Sequence, residues 1–278
     1  MGGDAQVKIL FLDIDDTLLD RKKRLPEENL RAIERAVDAG HKVVITSGRS
    51  LMAVMPIVEQ LGLKKEGGYA IAYNGGIIYD CYARKYLVRQ TIPIETVRMI
   101  FAEADAMGIH CQTYAPDDTL LIREVNEEAD FYLKRLHNAY RVVPDLPASL
   151  TEPPVKCLCI DLHNRARIED LRSRLAKKGE GDIDVFFSNE WYLECVRHGV
   201  SKGNAVRWFC DYMHVPVENS VSAGDSENDI PMLKAAGTGC AMANASDACK
   251  EAADYTTERD CDHAGVAEII DRFLMNEK

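Results

Sequence analysis

The sequence contains no apolar run that approaches the roughly 20 residues of a membrane-spanning helix. Its first residues lack the basic and apolar regions of a secretory signal. Gln6 breaks the myristoylation pattern that the glycine at position 2 would otherwise start. These absences predict a protein that neither crosses a membrane nor is attached to one. We therefore expect it to be cytoplasmic.

The patterns that bind zinc are missing as well. The nine cysteines form no C-x-x-C pair, and the seven histidines show no metal-ligand spacing. Because a free cysteine packs as a small apolar side chain, we interpret the cysteines as buried thiols of a protein in a reducing compartment. This interpretation disfavours a structural zinc site.

Basic side chains are too few for general nucleic-acid binding. The 34 lysines and arginines face 45 acidic residues, which gives a formal net charge of -11. Such a charge repels a nucleic-acid backbone at long range. It also repels a small phosphate ester, so a site for an anionic substrate must reverse the local field with a cation and a few placed basic groups.

The N-terminal part of the chain has the pattern of a βαβ unit. Val7–Leu12 is an apolar run that predicts a buried parallel strand. Pro26 and Gly40 provide the start and stop signals of a helix, and His41–Ile45 reads as the next strand. This order predicts an α/β fold with a parallel sheet, in which ligands bind at the carboxyl ends of the strands.

The middle of the chain has a different pattern. Tyr82–Ile92 resembles a hairpin, helical periodicity follows over Ile94–Met107 and Asn126–His137, and Val155–Leu162 begins a further strand-containing segment. The 278 residues of the chain exceed the roughly 100–200 expected of one domain. We interpret the middle section as a second α/β domain inserted into the first.

Two acidic groups follow apolar strands. Asp13, Asp15 and Asp16 come directly after the first strand, and Asp225 and Asp229 follow a later one. Because the carboxyl ends of parallel strands meet at one edge of a sheet, both groups can contribute to one site. Taken alone, each group is also compatible with a solvated acidic turn.

Carboxylates gathered at one edge repel each other. Two like charges about 4 Å apart cost on the order of 4 kcal/mol at an effective dielectric near 20, so such a cluster requires a cation or protonation. Neither motif has a histidine or cysteine nearby, and oxygen ligands favour Mg2+ over zinc or copper. Magnesium would also supply the positive charge that a phosphate ester needs in this acidic chain.

The chain contains several short polar motifs. Their combination in this order identifies a protein family more specifically than any single motif does. The motifs are Asp13-x-Asp15-x-Thr17, Ser47-Gly48-Arg49, Lys202, and Gly224-Asp225-x-x-Asn228-Asp229. Further stretches of this kind are Asn74-Gly75-Gly76, Gly199-Val200-Ser201-Lys202-Gly203, and Ala241-Met242-x-Asn244-Ala245. In this order the motifs resemble those of the haloacid dehalogenase superfamily, and the further stretches resemble its Cof-like sugar-phosphatase branch.

The resemblance implies a Rossmann-like parallel-sheet core and an inserted α/β cap domain that determines substrate specificity. It places the core at residues 1–81 and 189–278 and the cap at residues 82–188. The motifs lie in both ends of the chain, whereas the middle matches only in size and position. The implied activity moves a phosphoryl group from a small metabolite onto an aspartate and then onto water.

The resemblance also implies roles for individual residues. Asp13 would be the nucleophile, and Asp15 would protonate the leaving oxygen and later deprotonate water. The phosphate-binding residues would be Ser47, Lys202 and Asn228. The Mg2+ ligands would be the side chains of Asp13 and Asp225 and the main-chain carbonyl of Asp15, with Asp229 in support.

The second motif carries Ser47 where this branch usually has threonine, which keeps the hydroxyl donor. Arg49 is compatible with two roles, contact with the substrate or bracing of its own loop, and Gly48 beside it shares these alternatives. Asp15 separates phosphatases from true dehalogenases, because a phosphoester needs an acid for its leaving group. Its presence argues against dehalogenation.

Three functional hypotheses are compatible with these residues. The leading one is a phosphatase for sugar phosphates, with flavin mononucleotide and pyridoxal phosphate as further candidate substrates. A sugar phosphomutase would use the same aspartyl phosphate, and product analysis would distinguish it. A phospho-acceptor signalling module would be much shorter and would lack a cap, which disfavours it. The expected partner is therefore a small phosphorylated metabolite, with no nucleic acid and no membrane, and the oligomeric state is left open.

Overall fold

The structure is a computed structural model that describes residues 7–136 and 139–275. The chain folds into two compact units, and each is described by itself. The first unit runs to Val88 and resumes at Ser201, and the second covers Arg89–Val200. Among the described residues, no helix combines the length and the apolar character that a membrane span requires.

Strands and helices are numbered in chain order. The strands are β1 Ile9–Leu12, β2 Lys42–Thr46, β3 Tyr69–Ala72, β4 Ile77–Asp80, β5 Lys85–Arg89, β6 His110–Tyr114, β7 Leu120–Ile122, β8 Tyr140–Val142, β9 Lys156–Ile160, β10 Ile183–Phe187, β11 Tyr192–Arg197, β12 Ser220–Gly224, β13 Thr238–Ala241 and β14 Tyr255–Thr256. The helices are α1 Glu27–Asp38, α2 Leu51–Gln60, α3 Ile94–Ala106, α4 Glu127–Leu136, α5 Arg165–Lys178, α6 Lys202–Tyr212, α7 Ile230–Ala235, α8 Asp247–Ala252 and α9 Gly265–Ile269. Of the helix predicted over Asn126–His137, Glu127–Leu136 is helical, and His137 lies outside the described residues.

The first unit is built on a sheet with the described strands in the order β14-β13-β12-β1-β2-β3-β4-β5. The pairs from β14 to β3 are parallel, and β4 is antiparallel to β3. β1 lies between β12 and β2, and its residues are fully buried because a central parallel strand is covered on both faces. The predicted α/β fold with a Rossmann-like parallel core is confirmed.

α1 forms where the sequence predicts it. It begins after Pro26 and ends before Gly40, whose φ of 91° suits glycine. Its buried residues recur at helical spacing, so the helix packs one apolar stripe against β2 and α9. Because α1 connects β1 to the parallel strand β2, the βαβ unit expected from the sequence is present.

The second unit has a sheet of its own, with the described strands in the order β10-β11-β9-β6-β7-β8. α3 and α5 contribute Ile100, Phe101 and Leu171 to an apolar core that also includes residues of the sheet. The segment from β9 through α5 to β10 has the length of a βαβ unit. However, β11 lies between those two strands and pairs antiparallel to both.

The boundaries between the units differ from the expected positions at 81/82 and 188/189. β5 lies next to β4 in the first sheet, so the predicted hairpin belongs to the first unit as far as Val88. β11 pairs with β9 and β10 in the second sheet, so the second unit continues to Val200. Strand pairing decides both positions, and the pattern of a single strand does not reveal its partner.

The cysteines form part of the apolar cores. All nine are free and buried, as expected of thiols that pack as small apolar side chains. Cys111, Cys157, Cys159 and Cys195 lie on neighbouring strands of the second sheet and pack into the core of that unit.

Candidate active site

Asp13 is the first residue after β1, and its side chain is almost fully buried. Its backbone N–H donates to the carbonyl of Ala223 at 3.1 Å, which extends the contact between β1 and β12 beyond the end of β1. The strand therefore presents this carboxylate at the carboxyl edge of the sheet. Open parallel sheets bind their ligands at this edge.

Lys202 brings a positive charge to Asp13. It opens α6, whose N-terminus is capped by Ser201 through a hydrogen bond from the Asn204 N–H at 3.1 Å. The side chain of Lys202 is fully buried, and its Nζ donates to Asp13 Oδ1 and to Asp229 Oδ1, each at 2.6 Å. The ammonium group thus links the two carboxylates through charge-assisted hydrogen bonds.

Asp229 supports the loop that follows β12. Its Oδ2 accepts the backbone N–H groups of Asp225 at 3.0 Å and of Ser226 at 3.1 Å. Gly224 permits this approach, because a Cβ atom at that position would lie 2.4 Å from the Cβ of Asp229. With Lys202 bound to its other oxygen, Asp229 has both oxygens engaged and orients Asp225.

The carboxylate of Asp225 accepts hydrogen bonds from two hydroxyl groups. Thr17 Oγ1 donates to Oδ1 at 3.1 Å, and Ser226 Oγ donates to Oδ2 at 2.9 Å. Thr17 closes the first sequence motif, whereas Asp225 belongs to the last one. The hydrogen bond from Thr17 to Asp225 therefore joins the loop after β1 to the loop after β12.

The buried carboxylates alter one another's protonation. Burial raises the pKa of Asp13 well above its ordinary value, and although Lys202 opposes this, the charges of Asp229 and Asp225 add to it. Burial and the charge of Asp229 raise the pKa of Asp225 to about 6. Burial by itself would lower the pKa of Lys202, but Asp13 and Asp229 raise it, so the ammonium stays charged. Without a further cation, the protein therefore disfavours ionisation of all three carboxylates at once.

The donor set of this cluster fits a divalent metal ion. Asp13, Asp225 and Asp229 each offer a carboxylate oxygen, and these atoms lie within 4.8 Å of one another. Within this group of described side chains, three ionised carboxylates would face the one positive charge of Lys202, so a divalent cation would balance the remainder and favour the ionised forms. Carboxylate oxygens suit a hard cation such as Mg2+.

Asp15 has different partners from Asp13. Arg49 binds its carboxylate with two hydrogen bonds, from Nε at 2.8 Å and from a terminal nitrogen at 2.6 Å. Lys23 Nζ lies 2.9 Å from one of the same oxygens. Burial acts to raise the pKa of Asp15, but Arg49 and Lys23 outweigh it and lower the pKa. In this conformation Asp15 is an ionised carboxylate held by two cations.

Polar residues also meet where β2 and β3 end. Ser47 follows β2, and its carbonyl accepts the backbone N–H of Asn74 at 2.9 Å. Asn228 Nδ2 donates to Asn74 Oδ1 at 3.2 Å. A Cβ atom at Gly48 would lie 3.0 Å from the same oxygen, so glycine leaves room for the amide. These contacts join the motif that begins at Ser47 to the motif that contains Asn228.

The family model for haloacid dehalogenase-like hydrolases matches residues 10–270 of the chain. The chain belongs to this family. The predicted superfamily is therefore confirmed, together with the predicted enzyme class, a haloacid dehalogenase-like phosphoric monoester hydrolase.

Similar proteins of this family include phosphatases. The 5-amino-6-(5-phospho-D-ribitylamino)uracil phosphatase YcsE of Bacillus subtilis is 27% identical over 272 residues, and the alignment covers 98% of each chain. The pyridoxal phosphate phosphatase YbhA of Escherichia coli is 30% identical, with 89% of this chain and 92% of that protein covered. A solved haloacid dehalogenase-like hydrolase from Bacteroides thetaiotaomicron superimposes with a TM-score of 0.87 at 29% identity, over 96% of this chain and 99% of that one.

The haloacid dehalogenase motifs come together only in part. Asp13, Lys202, Asp225 and Asp229 form one cluster, with Asn228, Ser47 and Gly48 grouped around Asn74. The carboxylate of Asp15 is bound to Arg49, outside the group of carboxylate oxygens that could hold a metal ion. Arg49, for which substrate contact or loop bracing was expected, thus binds the predicted acid. The catalytic, phosphate-binding and metal-binding roles of these residues stay predictions.

Sequence reasoning assigned no role to several polar residues beside the cluster. Thr17 contacts Asp225, and Asn74 contacts Asn228. Both lie within motifs, so motif membership was an available signal. Lys23 lies in a loop without any such signal, and its approach to the site depends on the path of that loop.

Proposed function

We propose that this protein is a Mg2+-dependent phosphatase that hydrolyses small phosphorylated metabolites through a phosphoryl group carried by Asp13. The observation that carries the proposal is the cluster of Asp13, Asp225 and Asp229, in which Lys202 binds Asp13 and Asp229. Phosphoryl transfer needs an in-line nucleophile and positive charge around the transferred group. The cluster offers a nucleophile, an ammonium group and ligands for a divalent cation.

In the first step, an oxygen of the Asp13 carboxylate attacks phosphorus in line with the ester oxygen. The bond from phosphorus to Asp13 forms while the bond to the ester oxygen breaks. Asp15 gives its proton to the departing oxygen, which leaves as an alcohol. For this step Asp15 must be protonated and released from Arg49, which binds it in the present conformation.

In the second step, water attacks the phosphorus atom of the aspartyl phosphate. Asp15, now a carboxylate, takes a proton from this water, and the bond from phosphorus to Asp13 breaks. Inorganic phosphate is released, and Asp13 returns as a carboxylate. A mutase would differ at this point only, since a sugar hydroxyl would attack in place of water.

Several side chains are assigned to the transferred phosphoryl group. Lys202 neutralises charge beside the attacking oxygen of Asp13, and the Ser47 hydroxyl donates to a phosphoryl oxygen, with Asn228 ordering that region. The carboxylates of Asp13 and Asp225 and the main-chain carbonyl of Asp15 would hold Mg2+, with Asp229 in support. When bound there, Mg2+ supplies positive charge to the phosphoryl oxygens.

Sugar phosphates are the substrate class that the Cof-like resemblance favours. The similarity to YcsE and YbhA adds 5-amino-6-(5-phospho-D-ribitylamino)uracil and pyridoxal phosphate as candidates, and flavin mononucleotide belongs to the same group of small phosphate monoesters. We assign the choice among them to the second unit, Arg89–Val200. Its position as an insertion between two parts of the first unit supports this assignment.

Phosphate release tests the proposed function. Purified protein is incubated with sugar phosphates, nucleotides, flavin mononucleotide, pyridoxal phosphate and the ribitylamino-uracil phosphate. Each substrate is assayed with Mg2+, with EDTA, and with excess Mg2+ added after EDTA. We expect release from at least one class of ester, loss of activity in EDTA, and recovery in Mg2+.

Three other outcomes would change the assignment. Activity that persists in EDTA, with no metal found by elemental analysis, contradicts the magnesium requirement. An isomeric sugar phosphate formed without free phosphate identifies a mutase. If the folded protein releases no phosphate from any substrate of the panel, it is not a phosphatase for these substrates.

A further inference from the structure

Asn244 lies on the loop that follows β13, and this loop is bound to the end of β12. The backbone N–H of Met242 donates to the carbonyl of Gly224, and the N–H of Ser246 donates to the carbonyl of Asp225, both at 3.0 Å. The loop is therefore attached on both sides of Asn244 to the segment that carries a proposed metal ligand. This attachment fixes the position of the Asn244 backbone relative to Asp225.

The side-chain amide of Asn244 makes two hydrogen bonds, one through its nitrogen and one through its oxygen. Its Nδ2 donates to the main-chain carbonyl of Asp16 at 2.8 Å. Its Oδ1 accepts the backbone N–H of Cys261 at 2.9 Å. The second bond fixes the orientation of the amide, so that its donor is directed at Asp16.

Asp16 is in a backbone conformation that needs outside support. It has φ of 57° and ψ of 16°, in the left-handed region that a residue with a Cβ atom rarely adopts. Such conformations persist when surrounding contacts enforce them. Asp16 stands between Asp15 and Thr17, and Thr17 donates to Asp225. The conformation of Asp16 therefore sets where the proposed acid and the link to Asp225 lie.

We propose that Asn244 is a positioning residue that holds the backbone of the loop Asp13–Thr17 in the conformation that catalysis requires, by binding the Asp16 carbonyl. The proposal rests on the phosphatase function proposed above and assigns Asn244 an action through that loop. A change at Asn244 would rotate the peptide groups around Asp16. It would displace the Asp15 carbonyl from the proposed metal site and the Asp15 carboxylate from the leaving group.

A second asparagine, Asn29 on α1, provides a matched control. Its side-chain amide also donates to one main-chain carbonyl and accepts from one backbone N–H, but the carbonyl belongs to Leu18, beyond Thr17. Asn29 Nδ2 donates to the carbonyl of Leu18 at 3.1 Å, and its Oδ1 accepts the N–H of Ala267 at 2.9 Å. Leu18 lies outside the motif that carries Asp13 and Asp15. Loss of the Asn29 bonds should therefore reduce stability without moving the reacting groups.

The experiment compares Asn244→Ala, Asn244→Asp and Asn29→Asp with the wild-type protein. Asn244→Ala removes both bonds, whereas Asn244→Asp keeps an acceptor for Cys261 but places a carboxylate oxygen against the Asp16 carbonyl. For each protein we measure kcat and KM with p-nitrophenyl phosphate and Mg2+. We also measure the dissociation constant of Mn2+ by electron paramagnetic resonance and the midpoint of thermal unfolding.

We expect both Asn244 variants to lower kcat by roughly 10- to 100-fold and to weaken Mn2+ binding by a similar factor, with a smaller change in KM. Asn29→Asp should lower the unfolding midpoint while the folded protein keeps its kcat and its Mn2+ affinity. Wild-type kcat and Mn2+ affinity in both Asn244 variants would overturn the proposal. Equal losses in Asn29→Asp would overturn it too, since any loosening of the loop would then have the same effect.

The Mn2+ titration separates this proposal from the proposed function. If the wild-type protein binds Mn2+ but releases no phosphate, the phosphatase assignment fails and the titration alone decides on Asn244. Weaker Mn2+ binding in both Asn244 variants, but not in Asn29→Asp, then supports a positioning role. Wild-type protein that neither binds Mn2+ nor releases phosphate overturns both.

Discussion

The Nζ atom of Lys202 lies 2.6 Å from Oδ1 of Asp13, and neither side chain has more than a small contact with water. Each charge is therefore balanced mainly by the protein. When one partner of a buried charge pair is removed, the other charge is left without compensation. Removal of the Lys202 charge should therefore lower both stability and activity, whereas removal of the Asp13 charge leaves Lys202 paired with Asp229 and should lower activity without lowering stability.

Lys202→Met should remove the ammonium group and leave the carboxylates of Asp13 and Asp229 facing each other. We expect kcat to fall by at least about 100-fold, the scale seen when one charge-stabilising group is lost from an active site. Unfolding in EDTA should cost less free energy than in the wild type, by about 3–5 kcal/mol. Steady-state kinetics and denaturant titration measure these quantities.

Lys8→Met serves as the control for this change. Lys8 belongs to the first unit, and its Nζ binds the main-chain carbonyl of Phe273 instead of a carboxylate cluster. Its removal should leave kcat unchanged. Equal kcat in Lys202→Met and the wild type would contradict the role assigned to Lys202.

Asp13→Asn should abolish turnover because an amide cannot form the aspartyl phosphate. It also removes one negative charge from a crowded cluster, so the thermal midpoint in EDTA should equal or exceed that of the wild type. Asp16→Asn is the control, since it makes the same substitution in the same loop at a more exposed side chain. A well-folded Asp13→Asn protein with wild-type activity would exclude Asp13 as the nucleophile.

Arg49→Gln should leave the Asp15 carboxylate, which is the base of the second step, without the pair of hydrogen bonds that orients it. We expect kcat to fall on the order of 100-fold, because small displacements of reacting groups have effects of that size. Arg49→Lys should not restore activity, since a lysine cannot make two parallel bonds to one carboxylate.

Arg123→Gln controls for the loss of such a paired contact. Arg123 binds both oxygens of Asp105 in the second unit, at 2.5 and 2.9 Å. Its substitution should lower stability and leave kcat unchanged. If Arg49→Lys is as active as the wild type, a paired contact with Asp15 is not required.

Asp161 in the second unit should make stability depend on pH. Its side chain is 0% exposed and accepts Arg167 Nε at 2.6 Å, together with the backbone N–H groups of His163 and Asn164. Burial acts to raise the pKa of Asp161, but these hydrogen bonds lower it by more. The folded state therefore holds the proton less tightly than the unfolded state, whose pKa is about 3.9.

Asp161→Asn should lower the free energy of unfolding by about 1–3 kcal/mol near neutral pH. A lowered pKa stabilises the fold fully above the unfolded pKa, so the difference from the wild type should shrink as the pH falls below about 4. Trp191 fluorescence reports on this unit in a Trp208→Phe background. Asp170→Asn, which removes an exposed pair with Arg174, should have an effect of less than about 1 kcal/mol. A difference that stays constant with pH would contradict the assignment to Asp161.

The elements around the site could be predicted because their signals are local. β1, α1 and β2 lie close to their expected positions, since an apolar run and the start and stop residues of a helix act on neighbouring residues. β11 lies in the segment that was expected to belong to the core, whereas it pairs with β9 in the second sheet. Its own pattern does not indicate which of the two sheets it joins.

By itself, the sequence determined the fold class, the family and the set of polar residues that follow the strands. Tertiary structure alone decided which cation binds which carboxylate. Lys202 reaches Asp13 across 189 positions of the chain, while Arg49 and Lys23 bind Asp15. These pairings depend on the directions of side chains at the ends of strands and helices. Those directions follow from the packing of segments distant in the chain, which no local pattern contains.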